Sequence, residues 1–170
     1  NKQEALAAVA EDGLALEYAS KALQADRDVV LAAVAEDGDA LEHASKTLKA
    51  DKDFMLAAVA KNGGALEHAP RALKADKEVV LVAVAQDSDA LEHARKALKA
   101  DNEFMNSKEM TLARISGGDV TALQHAPEAL RKDREFVLYA VARNPDALKH
   151  ASAELQKDEE LIRESGEMKE

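Results

Sequence analysis

The chain has 170 residues, of which 46% are hydrophobic and 33% charged, with a formal net charge of −10. Cysteine is absent, which excludes disulfides, thiolate metal sites and cysteine nucleophiles. The acidic balance works against phosphate backbones, which reward Lys and Arg through counterion release, and no apolar run reaches the length of a membrane span.

One stretch organises the rest: residues 31–55, LAAVAEDGDALEHASKTLKADKDFM, recur with a period of 25 residues. Gapless copies occupy 6–30, 31–55, 56–80 and 81–105, a disturbed copy runs over 112–137, and a regular one over 138–162. A fixed period of this size is the signature of a solenoid. The predicted fold is therefore all-α, an α-solenoid of about six 25-residue repeats. Each repeat is read as one longer helix plus a kinked or split short helical segment. The array fills residues 1–162, and 163–170 form a polar tail expected to fray.

In chain order, residues 1–5 match the end of a repeat, so the array is expected to open inside a unit. No polar capping helix precedes it, which suggests a piece of a longer chain or a partner covering that end. Asp26, Asp51, Asp76, Asp101, Asp133 and Asp158 share one column ahead of an apolar run. A carboxylate there accepts an orphan backbone N–H and faces the positive end of the helix dipole. Val30, Ala33 and Val34 follow at helical spacing. Asp37 and Gly38 mark the stop, with the left-handed conformation favoured by Gly and Asn as the expected terminator.

Ala40, Leu41, Ala44 and Leu48 then lie on one face of a second helical segment, and the columns of Leu31, Val34, Leu41, Ala44 and Leu48 are the predicted core. The column of Ser45 reads Ser20, Ser45, Pro70, Arg95, Pro127 and Ser152. Proline cannot sit inside a helix but suits its first turn, and Ser suits a cap. A break at that column is predicted. Phe54 and Met55 alternate with Val29 and Val30 along the array, so the first four units read as two pairs.

Repetition fails after Met105. Residues 106–111 (NSKEMT) are inserted, Arg114 replaces a small residue, and the turn at 116–121 is one residue longer than usual. Insertions in repeat proteins map to loops, often on a binding face, although a longer loop also costs little.

The unit beginning at Asp51, DKDFMLAAVAKNGGALEHAPRALKAD, resembles a short helical repeat family known only as domain of unknown function 4116. The shared features are the Asp-Lys start, a Leu-x-Ala-Val run, a Gly turn, and Ala-Leu-x-Tyr/His-Ala followed by Leu-x-x-Asp. The resemblance covers residues 1–162, with two units per family domain. It implies all-α repeats and supplies no catalytic residues.

Three sets of residues could carry function. His43, His68, His93, His125 and His150 form one column, with Tyr18 in the first unit. Histidine binds metals and titrates near neutral pH. However, helices pack about 10 Å apart and zinc needs ligands converging at about 2 Å, so the column is read as packing and no metal or cofactor is expected. The second set is a basic column: Lys46 and Lys49, Arg71 and Lys74, Lys96 and Lys99. Glu42–Lys46 and Lys49–Asp53 have the i, i+4 spacing of stabilising pairs, and no aromatic column accompanies them, so the ridge is read as a solvated face. The third set is the irregular region, with Asn106, Lys108, Arg114 and Asp119 as candidate partner-binding residues. No phosphate loop, nucleophile elbow or His-Glu-x-x-His is present. The expected function is a non-enzymatic protein-binding or scaffold module, binding a protein or itself. The alternative is binding of nucleic acid or an anionic surface through the basic column.

Overall fold

The computed structural model describes residues 1–166, and no strand occurs among them. Seven helices open the successive units: α1 (Lys2–Glu11), α2 (Arg27–Glu36), α3 (Lys52–Lys61), α4 (Lys77–Gln86), α5 (Lys108–Ser116), α6 (Arg134–Arg143) and α7 (Glu159–Glu164). The aspartate column caps them as predicted: Asp51 Oδ1 accepts the Phe54 amide at 3.1 Å, and Asp26, Asp76, Asp133 and Asp158 do the equivalent. Asn1 and Glu4 make a capping box for α1, and Ser107 caps α5. Helix α7 runs to Glu164, so the polar tail begins inside it; residues 167–170 lie outside the described residues.

The stop after each ten-residue helix differs from the expected one. Asp37 is extended (φ −144°, ψ 119°), as are Asp12, Asn62, Asp87 and Asn144. Positive φ occurs only at Gly118 and Gly166 among the described residues. The extended residue acts as a new cap instead. Asp37 Oδ1 accepts the Asp39 amide at 2.9 Å and starts a six-residue 3-10 helix, Gly38–His43. At Gly63 glycine serves close approach rather than handedness: a Cβ there would lie 2.6 Å from the Ala83 carbonyl oxygen of the next unit, whereas Ser88 and Pro145 occupy the same column in other units.

Each 3-10 helix ends where an alanine turns extended, Ala44 at ψ 151° and Ala69 at ψ 149°. The chain therefore breaks at the Ser/Pro column, as predicted, before a short turn such as Lys46–Ala50 or Leu73–Ala75. Pro127 likewise caps Glu128–Arg131. Because the break falls between Glu42 and Lys46, the expected i, i+4 pairs across it do not close among the described residues.

Val29, Val30, Ala33, Val34, Ala40 and Leu41 are buried, as are Phe54, Met55, Ala58, Val59, Ala65 and Leu66 in the next unit, whereas Ala8 in the first unit is exposed and Leu91 in the fourth only half-buried. Leu31 and Leu48, expected in the core, are half-buried. Leu31 follows Val30 by 100° of helix rotation, which carries it to the rim. Successive long helices stack on one another, and the 3-10 helices stack in a parallel row beside them.

Counted from cap to cap, the units start at Asn1, Asp26, Asp51, Asp76, Ser107 and Asp133. In five of these six units the first helical residue reaches the cap of the next: Lys2 to Asp26, Arg27 to Asp51, Lys52 to Asp76, Lys108 to Asp133 and Arg134 to Asp158. Where the next helix carries Phe, the cation also covers the ring, as Arg27 over Phe54 and Lys108 over Phe136. Where it carries Val or Leu, the cation takes a second carboxylate: Asp28 for Lys2, Glu78 for Lys52, Glu160 for Arg134. A backbone bond also joins some units. Ser45 N–H donates to Gln24 O, Arg95 to Lys74 O and Ser152 to Arg131 O, each at 2.9 Å. Pro70 and Pro127 occupy the same column and have no N–H to give. Ser88 N–H donates to Gly117 O at 3.0 Å across the Pro127 joint. Apart from chain-local bonds such as Asp51 N–H to Leu48 O, the joint between the second and third units is left as the one between complete units with no backbone bond between stacked segments among the described residues.

Residues 106–111, expected as a loop, are mostly helical. Residues 107–112 (SKEMTL) restart the unit, with Ser107 in place of the capping Asp, Lys108 as the ladder cation, and Met110 and Thr111 buried. The surplus is the segment before them, containing the one-turn helix Asn102–Met105. Lys77 reaches Asp101 and covers Phe104 within it, while α5 packs directly on α4.

Candidate interaction surfaces

The basic column serves inside its own units. Lys49 Nζ donates to Glu42 O at 3.0 Å and Lys99 Nζ to Glu92 O at 2.9 Å. Gln24 and Gln156 occupy the same column, and their Nε2 atoms donate to Leu16 O and Glu17 O and to Lys149 O and Ala151 O. The position selects a long hydrogen-bond donor that closes the end of the 3-10 helix, and a neutral amide suffices. Lys46, Arg71 and Lys96 are exposed, whereas Lys74 is half-buried.

The irregular region is also tied internally. Arg114 Nε donates to Asp119 Oδ2 at 2.8 Å, and Nη2 stands 2.6 Å from the same oxygen in an ion pair. Asp119 Oδ1 accepts the Thr121 amide and hydroxyl at 2.9 and 2.8 Å. Burial pushes the Asp119 carboxyl up, but Thr121 and Arg114 outweigh burial and hold it below the usual range. Asp119 thus takes the place of the extended capping Asp of the other units, and Arg114 steadies the longer turn. Lys108 is engaged by Asp133. Asn106 is exposed. What this region offers outward is Val120, 63% exposed, a residue absent from the partner-binding set predicted above. It lies between two hollows, one lined by Ser88, Leu91, Arg114 and Asp119, the other by Ile115, Leu123, Arg143 and Asn144.

A second apolar place is the outer side of the first unit. Tyr18 is 86% exposed and Leu14 also stands out. Tyr18 borders a hollow walled by Ala5, Ala8, Ala15 and Leu23.

The histidine column behaves differently from rung to rung. His68 Nε2 lies 2.9 Å from Asp39 Oδ1 of the preceding unit, and His93 Nε2 lies 4.0 Å from Glu67 Oε2. Side chains of stacked 3-10 helices reach across the joint, so their ligand atoms come closer than helix spacing alone allows. Asp39, Glu67 and His68 bring one ligand atom each within 4.8 Å of one another.

Repeated helix, 3-10 helix and turn, joined by a cation–aspartate ladder, define an all-α tandem-repeat protein. A family model described as "Domain of unknown function (DUF4116)" matches residues 1–49, 51–99, 114–156 and 133–165. The chain belongs to this family. The first two matches each hold two units and one Ser45- or Arg95-type backbone joint, with Pro70 beyond the first match. No curated protein and no solved structure matches the chain. No helix among the described residues is long and apolar enough to cross a membrane.

Proposed function

We propose that this repeat array is a non-enzymatic protein-binding module that engages its partner, or a second copy of itself, where repetition fails. One observation carries the reading: the large hydrophobic side chains exposed among the described residues are Leu14, Tyr18 and Val120. They sit at the outer side of the first unit and at the lengthened turn of the fifth. Elsewhere the surface repeats one polar pattern, and exposed apolar side chains beside a hollow are the usual anchors of protein interfaces.

The test is site-specific photo-crosslinking from Tyr18 and from Val120, beside Lys46 as a polar control, in native extract and with the purified chain alone. Adducts with one defined protein, or with a second copy, from Val120 or Tyr18 and not from Lys46 are expected. The adduct should disappear when Tyr18→Asp and Val120→Asp are combined. Equal labelling from all three sites would sink the reading. Salt-steep RNA binding, lost on changing Lys49, Lys74 and Lys99 to Glu, would replace it with the nucleic-acid alternative.

A further inference from the structure

The joint between the second and third units lacks the backbone bond that ties its neighbours, and the Asp39, Glu67 and His68 cluster lies across it. The columns make this cluster unique in the array. It needs a carboxylate two residues after the extended cap of one unit and a Glu-His pair in the next. At the first joint the Asp39 column holds Leu14; at the third it holds Gly64. At the fourth, Asp89 faces a unit with Gln124 before His125, and at the fifth Thr121 faces Lys149 and His150. Only the second joint has all three groups.

We propose that Asp39, Glu67 and His68 bind one divalent first-row transition ion, with Zn²⁺ as the type case, and that the ion clasps the second unit to the third. This goes beyond the protein-binding reading and does not rest on it. A tetrahedral ion with bonds of about 2.0–2.1 Å holds its ligand atoms roughly 3.3 Å apart. Asp39 and His68 already stand at 2.9 Å. Glu67 and Asp39 carry their carboxylates on exposed side chains, so rotation about side-chain bonds closes the remaining gap. Two carboxylates this close repel, and a dication between them removes that cost. His93, 4.0 Å from Glu67, lies outside the three-ligand cluster and joins it only if its side chain rotates. One or two imidazoles with two carboxylates suit zinc, cobalt or nickel. Calcium takes six to eight oxygens and is not expected here.

The experiment is calorimetric titration of the EDTA-treated full chain with ZnCl₂, with CaCl₂ as the comparison, and thermal melts with and without zinc. One zinc ion per chain is expected, with a rise in Tm of several degrees at saturating zinc. Asp39→Asn, Glu67→Gln and His68→Gln should each weaken zinc roughly tenfold or more, while His43→Gln and His150→Gln leave it unchanged. Metal-free melts and circular dichroism of every variant establish that it is folded. Co²⁺ should give visible absorption bands that His68→Gln removes. A folded parent chain that takes up no zinc, or zinc binding that survives Asp39→Asn, Glu67→Gln and His68→Gln combined, would overturn the proposal.

Discussion

Gly63 and Arg131 show how single positions are set by the neighbouring unit. Alanine at Gly63 would push a methyl group to 2.6 Å from a main-chain oxygen, and helix α4, which carries that oxygen, has no room to yield. Gly63→Ala is expected to destabilise by about 1–3 kcal/mol, read from urea melts. Arg131 shares the column of Gln24, Lys49, Lys99 and Gln156, yet its Nε is buried with no hydrogen-bond partner. An unsatisfied buried donor costs roughly 1–3 kcal/mol, and a shorter amide in the same column reaches carbonyls in two other units. Arg131→Gln should raise the urea midpoint, whereas Lys49→Gln should leave it nearly unchanged. A fall on Arg131→Gln would show that the guanidinium contributes through other contacts.

At the scale of elements, the Ser/Pro column decides how firmly units join. Ser45 supplies its N–H to Gln24 O and its Oγ to the Leu48 amide. Ser45→Pro removes both and should cost about 2 kcal/mol. Pro70→Ser adds the N–H but frees the unfolded chain, and these effects offset to within about 1 kcal/mol. Equal effects at the two sites, by urea melts, would mean that the inter-unit bond contributes little. The period, the Asp caps and this break were legible in the sequence, because each rests on a local rule of capping or proline geometry. The 3-10 character of residues 38–43 was not, since six residues with Ala40 and Leu41 adjacent fit either winding. Residues 106–111 look like a loop in a register set by the Leu-Ala-Ala-Val run, whereas Ser107 and Lys108 spell a second cap and ladder cation. Of the candidate sites, Lys49 and Arg114 looked available because their acceptors, Glu42 O and Asp119, are fixed only once the chain turns back. The Asp39–His68 contact joins residues 29 positions apart and leaves no local signal.

For the whole molecule, the ladder ties stability to pH. Lys2, Lys108 and Arg134 hold the carboxyls of Asp26, Asp133 and Asp158 below the usual range, and at Asp101 the Phe104 amide acts first, then Lys77. A carboxyl with a depressed folded-state pKa binds its proton more readily when unfolded. Its stabilisation is complete above the unfolded value, about 3.9, and is lost as pH falls through the lower folded value. The urea midpoint should stay level from pH 7 to pH 5 and drop from about pH 4 downward, with a shallower drop in Asp133→Asn. A drop already under way at pH 6 would show that the ladder carboxylates do not set the acid limit. The unequal joints also have a mechanical consequence. Elements coupled in series share a load, and bending collects in the most compliant link. Judged by inter-unit backbone bonds alone, that link is the joint spanned by Pro70, held by Arg27 on Asp51 and Phe54 and by His68 on Asp39. Under tension or torque the first two units should swing as one arm against the third and fourth, and an ion seated at Asp39 and His68 would act as a latch on that elbow.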